Sequence, residues 1–404
     1  MAELAPTGIP SRKPLAFFAF LAFLGFGVFV VQVFGANPAR AWQAFLINFL
    51  LWSAVAQGGL LFSIVMHLTK SRWSRSMQTL AESFAAFFPL SLLLFLILYF
   101  GRNSLLTWLH GDMHGLEGWL NVPFLFSRDF LALLTLYLLG LAYTFYALRV
   151  RAGSGAWNGS LASWVRRGWT GSEAEIVQCR GRMTVLSVLY LLAYAFVLTL
   201  LAFDLIMSME PPWYSTLFGA YAFAKAFYLG LLALMIVAGV SYLARGEQCG
   251  LMASHFHDLG KLLFAFCLVW ADFFYVQLLV IWYGNVSEET RYVIQRVMLL
   301  PWRPLAWTVF IMSFVIPFFV LLNRRVKEKP AVMLPLCLFV LTGLWLEHLL
   351  LVGPALNPGT ATLPVGPGDV LITLGFLGLM AFAITLFLRW FPYLAAGPGT
   401  ELRR

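Results

Sequence analysis

The sequence predicts an all-α polytopic membrane protein of about ten transmembrane helices, and three observations carry that reading. Of its 404 residues 61% are hydrophobic and 11% are charged, with a mean hydropathy of +0.82, whereas soluble domains carry about 25% charged residues. The apolar residues gather in runs of about 20, the length an α-helix needs to cross some 30 Å of hydrocarbon. Several runs are rich in aromatic residues with no alternating polar position, so helices fit them and a β-barrel does not.

The runs read as helices over 14–34, 42–68, 84–101, 130–148, 183–206, 218–243, 259–283, 304–323, 331–352 and 370–389. The first follows Arg12 and Lys13, as a secretory signal would. It is longer than the 7–15 apolar residues of a signal and no cleavage site follows it, so it is read as a retained helix. Residues 72–82, RWSRSMQTLAE, suit a basic segment lying on the inner surface. The 102–129 connection carries Trp108 and Trp119, which suit an outer interface. It is either a docking surface for a peripheral subunit or an ordinary interfacial hairpin. Residues 149–182 form the longest inner loop, whose Arg166 and Arg167 suit lipid headgroups. At the start of the seventh run Asp258 stands where a helix N-cap would. The third and seventh runs are each followed by a connection with Trp, Asn, Pro and Arg, which suggests two parallel four-helix bundles, helices 2–5 and 6–9, with helices 1 and 10 peripheral.

Orientation follows from the basic residues. Of the 27 Lys and Arg, 20 fall at the chain ends and in the connections on one side. Six (Arg40, Arg102, Arg128, Arg291, Arg296 and Arg303) fall on the other, and Lys225 lies within a run. The positive-inside rule then makes both termini cytoplasmic. The net charge of +9 is a topology signal. No basic domain stands outside the membrane, so nucleic acid is not a partner, while membrane lipid is.

Cofactor ligands are missing from the pattern. Cys179, Cys249, Cys267 and Cys337 are scattered singly, with no C-x-x-C or C-x-x-C-H, which excludes covalent haem and cysteine-held iron–sulfur clusters. His67, His348, His110, His114, His255 and His257 make no pair at matched depth for a b-type haem. There is no phosphate loop, G-x-S-x-G or H-E-x-x-H, so neither metal nor nucleotide chemistry is expected in this chain.

The candidate residues are the ionisable ones within the runs, since hydrocarbon offers them no water. Around the double proline Pro211–Pro212, Asp204 ends the fifth run and Lys225 lies inside the sixth. The ammonium is expected to reach back to that carboxylate. Asp272 lies about 20 Å from the inner end of the seventh helix and Glu347 with His348 about 25 Å from that of the ninth, at 1.5 Å per residue. Asp272 is expected to be buried and to exchange protons along a route continued by Glu347 and His348. Gln57, His67, Glu210, Asp258 and Gln277 are secondary polar candidates. The alternative for the whole set is ion pairing that merely locks helices together.

The segments FDLIMSMEPPWYSTLFGAY and HDLGKLLFAFCLVWADFFYVQLLVIWYGNVSEET resemble the signatures of an NrfD-like integral membrane subunit of alternative complex III, a relative of polysulfide-reductase-type quinone-interacting subunits. That resemblance implies a subunit of a quinol:cytochrome c, or other quinol:electron-carrier, oxidoreductase. It implies that the subunit holds no redox centre and contributes polar half-channels for protons. Its partners would be a paralogous NrfD-like quinol-binding subunit, an iron–sulfur subunit, multihaem cytochrome c subunits and small membrane subunits, which would carry the haems, clusters and quinol. The chain departs from the family pattern at Glu210-Pro211-Pro212, usually Asp-Pro-His, and at Asp272, usually aromatic, so the expectation for Asp272 rests on burial alone. Two other readings stay open, a scaffold for the paralogue and a stand-alone ion or solute transporter. A reporter fused after Arg404 is expected in the cytoplasm and one at Gly111 outside; labelling of a Gly111→Cys variant from the cytoplasmic face alone would reverse the orientation.

Overall fold

The computed structural model describes residues 12–391 except 36, 72, 112–114 and 153–159. The chain ends and His114 lie outside the described residues. The protein is all-α among the described residues, with ten helical spans long and apolar enough to cross a membrane. The basic connections gather at one end of the bundle, called here the basic end; the other is the distal end.

Helix α1 (Arg12–Val33) leads to α2 (Pro38–Leu68), whose first-turn proline needs no donor and presets the helical φ. The third span is composite: α3 (Arg75–Ala81), a 3₁₀ segment Glu82–Phe87, α4 (Phe88–Leu98) and the short α5 (Arg102–Leu105) at the distal end. Helix α6 (Val122–Ala152) begins eight residues before the apolar run at 130, so Arg128 and Asp129 sit on a helix that the apolar pattern alone places in a loop. At the basic end α7 (Ser160–Arg166) precedes α8 (Glu173–Leu205). The Ser172 side chain caps α8 and Glu173 and Glu175 sit in its first turn, where the helix dipole favours acids. Half of the long basic loop is therefore helix.

Helix α9 (Leu217–Arg245) follows the double-proline turn. Helix α10 (Ala253–Gly284) starts six residues earlier than its apolar run, and His255 Nδ1 accepts the Met252 N–H at its start. Asp258 is thus inside the helix rather than its N-cap, and pairs with Lys261 Nζ at 2.6 Å. At the distal surface α11 (Ser287–Val297) is a short amphipathic helix. The eighth span joins α12 (Trp302–Phe310), a π-helical turn Ile311–Val315 and α13 (Ile316–Leu322). After α14 (Arg324–Lys327) come α15 (Pro330–Leu356) and α16 (Pro367–Trp390).

The helices group as two bundles. Helices α2, α4, α6 and α8 pack together, as do α9, α10, α12–α13 and α15, while α1 and α16 form a peripheral hairpin against α2. The bundles meet where α2 crosses α9. Helix α2 carries apolar residues on every face, the pattern of a helix enclosed on every side, and 94% of its apolar window is buried. Close approach requires glycine at the crossing: a Cβ on Gly58 would lie 2.0 Å from the Ala226 carbonyl oxygen, and one on Gly230 2.1 Å from the Gly58 carbonyl carbon. Trp108 is buried, not exposed at an interface, and Leu105, Leu106 and Leu120 of the same distal connection are buried with it.

Gly58→Val should therefore separate the bundles and cost at least the 1–3 kcal/mol typical of overpacking, about that or more here because backbone meets backbone. A thermal unfolding midpoint in detergent lowered for Gly58→Val, and unchanged for Gly27→Ala where a Cβ meets nothing within 4 Å, checks it.

Candidate functional site at the seam of the two bundles

Near the distal end of the enclosed helix α2, Gln43 meets Asn357 and Asn48 meets Thr373 and Trp345; three further polar levels follow toward the basic end. The first of these three is built by α9 and α15. Lys225 and Glu347 stand about 12–14 Å from the distal ends of their helices at 1.5 Å per residue, and Lys225 Nζ lies 3.2 Å from Glu347 Oε1. Both are buried, at 5% and 1% exposure. The Tyr221 hydroxyl, one turn before Lys225, donates to the same Oε1, and its ring lies 5.0 Å below the ammonium. Glu347 Oε2 accepts no hydrogen bond among the described residues. His348 donates from Nδ1 to the Leu344 carbonyl at 2.8 Å, which leaves Nε2 as the free ring nitrogen.

Behind this pair is a cavity of 40 Å³ lined by Tyr221, Lys225 and His348 on one side and by Ser53 and Gln57 of α2 on the other. That volume holds about two waters. Ser53 and Gln57 belong to the second level. Ser53 Oγ and Ser91 Oγ are 2.6 Å apart, Ser91 Oγ and the Tyr137 hydroxyl 2.7 Å, and Gln57 Nε2 donates to Tyr137 at 3.0 Å. Gln57 Oε1, 0% exposed with its residue, has no donor among the described residues. The hydroxyls of this chain can each donate and accept, the property that proton relay needs.

The third level lies one and a half turns further along α2. Ser63 donates to Glu82 Oε1 at 3.1 Å and sits 3.1 Å from the Tyr143 hydroxyl, while Arg151 clamps both oxygens of Glu82. His67 follows at the basic end, 3.2 Å from Thr184 Oγ1. No hydrogen bond among the described residues joins the second level to the third.

The remaining candidates fall elsewhere. Asp204 does not meet Lys225. Arg128 grips it in a fork, with 2.7 Å from Nε to Oδ2 and 2.6 Å from Nη2 to Oδ1, and Trp119 Nε1 adds a bond of 2.9 Å. The expected pair fails because the guanidinium lies on α6, next to α8 in space, whereas Lys225 points from α9 to α15. Beside Asp204 stands Asp129, 0% exposed, with no hydrogen-bond donor to either oxygen among the described residues. Glu210 pairs with Arg296 of α11 at 2.6 Å; the guanidinium also lies 3.5 Å from the Tyr292 ring, which stacks on Trp213 at 3.6 Å. Burial pushes the Tyr292 phenol up to about 12 even against Arg296, so the stack stays neutral. Gln277 is half-buried, and its Nε2 has no acceptor among the described residues.

Asp272 is the main correction. It is exposed on the outer flank of α10, away from Lys225, Glu347 and His348. A helix with apolar residues all round fixes the depth of a carboxyl but not the side it faces. Sequence reasoning also missed Tyr221, Glu82, Asp129 and the Ser53–Ser91–Tyr137 chain. The sequence did place Ser53 and Gln57, then Ser63 and His67, one turn apart on α2, which marks a polar face there but not the partners on other helices.

No protein-family model matches this chain, and no curated protein matches its sequence. Removing one partner of a buried pair costs about 3–5 kcal/mol. Arg128→Met is expected to lower the unfolding midpoint by that cost, with more than half recovered in Arg128→Met/Asp204→Asn; an unrecovered double variant would mean that packing, not charge, sets the loss.

Proposed function

We propose that this multi-pass chain is a membrane subunit, without a redox centre of its own, of a quinol-oxidising electron-transfer complex of the alternative complex III type, and that it contributes a transmembrane proton path. One observation supports the path above the rest: a cavity at the seam of the bundles has Lys225, Tyr221 and His348 on one wall and Ser53 and Gln57 on the other, the two residues that Ser91 and Tyr137 link by hydrogen bonds behind that wall. In this reading Glu347 and Lys225 hold and release the proton, the cavity carries it across the seam on water, and the hydroxyl chain passes it toward Ser63, Tyr143 and Glu82. The segment Phe203–Tyr221, which carries the family resemblance, contributes Tyr221 to this wall.

The subunit's place is then a bacterial cytoplasmic membrane with both termini inside, beside a paralogous quinol-binding subunit. Iron–sulfur and multihaem cytochrome c subunits would carry the electrons. A second reading, a scaffold, is favoured by the Lys225–Glu347 bridge, which ties α9 to α15. A stand-alone solute transporter fits less well, because 40 Å³ admits water and little else.

Two variants separate the readings. Lys225→Met/Glu347→Gln removes both charges together, and Gln57→Leu removes polarity from the opposite wall. Under the proton reading the complex assembles and oxidises quinol with both, yet protons translocated per electron in proteoliposomes fall at least two-fold. An unchanged proton ratio with lowered subunit yield would leave the scaffold.

A further inference from the structure

Asp272 sits where a carboxylate has no internal answer. Trp282 and Tyr283, 75% and 84% exposed, mark the distal interface on α10. Asp272 lies ten residues below Trp282, about 15 Å at 1.5 Å per residue, which is the middle of a hydrocarbon core about 30 Å thick. It opens into a groove of 500 Å³ on the outer flank of the bundle, between α10 and α12. Leu268, Tyr275, Trp307, Phe310 and Phe314 form its walls, and Val297 of α11 stands at its distal end. No Lys, Arg or His lines it, and Asp272 makes no ion pair or hydrogen bond among the described residues.

Hydrocarbon does not tolerate that arrangement. Ionisable residues within spans face an interior, a hydrated cavity or a partner, and this groove is apolar and open to the side. The occupant must bring a complementary charge to mid-membrane depth. A lipid headgroup stays at the interface, about half a bilayer away. Among its described residues, a second copy of this chain has one Lys or Arg near that depth, Lys225, which is buried and bonded to Glu347.

We propose that the groove between α10 and α12 seats a transmembrane helix of a different subunit, and that a Lys or Arg on that helix pairs with Asp272. The large exposed side chains on this flank, Tyr275 at 59% and Trp307 at 55%, would be covered by the same helix. The inference is independent of the proton path, since Asp272 lies outside it.

The test uses the full chain in its native membrane with a photoreactive phenylalanine at Trp307. Irradiation is expected to join it to one transmembrane segment that has a Lys or Arg within a turn of the crosslink. Asp272→Leu should cut the crosslink yield at least ten-fold, and Asp272→Lys combined with an aspartate in place of the partner's base should restore it. The purified Asp272→Leu chain should unfold at the same or a higher temperature, because an unpaired carboxyl has been removed. Crosslinks to lipid alone or to a second copy would overturn the proposal. So would a segment lacking a base at that level, a yield unaffected by Asp272→Leu, or a purified variant with a lowered midpoint.

Discussion

Most of the buried charge among the described residues is held in pairs that bridge different elements. Arg40 with Asp369 joins α2 to α16, Arg128 with Asp204 joins α6 to α8, and Arg151 with Glu82 joins α6 to the 3₁₀ segment of the third span. Lys225 with Glu347 joins α9 to α15, and Arg296 with Glu210 joins α11 to the double-proline turn. Desolvation makes each charge expensive alone, and an opposite charge with additional donors offsets that cost. Arginine does most of this work because its planar fork can bond both carboxylate oxygens, as on Asp204 and Glu82. The lysine pair is the looser one, at 3.2 Å with one Glu347 oxygen left over, and its Lys225 lines the cavity. A point charge on a flexible stem beside an unsatisfied oxygen is the arrangement among the five that can rearrange without breaking a fork.

The seam explains why the cavity exists where it does. Gly58 and Gly230 let the α2 and α9 backbones touch, and Gln57, the residue before Gly58, is carried to the face shared with Lys225. A little over one turn away along α2, side chains must again fill the gap between the helices, and the polar one that lines the cavity there is Ser53. Backbone contact and a small polar cavity are therefore two consequences of one crossing. Replacing the glycines would move both walls.

The fold was largely legible because apolar length is a one-dimensional signal. Ten runs correspond to ten spans, with errors at their ends where polar residues continue a helix, as over 122–129 and 173–182. Much less of the site was legible. Lys225, Glu347 and His348 were singled out and do converge, since charge inside an apolar run marks itself. Their partners were not legible, because pairing depends on which helices neighbour each other; Asp204 is close to Lys225 in sequence and bonded to α6 in space. Tyr221, Ser53, Ser91 and Tyr137 carry no charge, so nothing in an apolar run distinguishes a hydroxyl that relays from one that bonds its own helix, as Thr144 does to Gly140.

Asp129 and Asp272, both well inside their spans, make no ion pair among the described residues, and they differ in a way that separates assembly from transport. Asp129 is enclosed beside Asp204, where the one guanidinium bonds only Asp204 of the two acids, so whatever balances Asp129 must come from within the bundle or from the distal surface that Arg128 and Trp119 border. Asp272 is on the flank, so whatever balances it must come from another molecule. The groove that holds Asp272 has no polar link to the cavity behind Lys225, and the two share no lining residue. Disturbing the flank should then change what the chain binds, and disturbing the seam what it conducts.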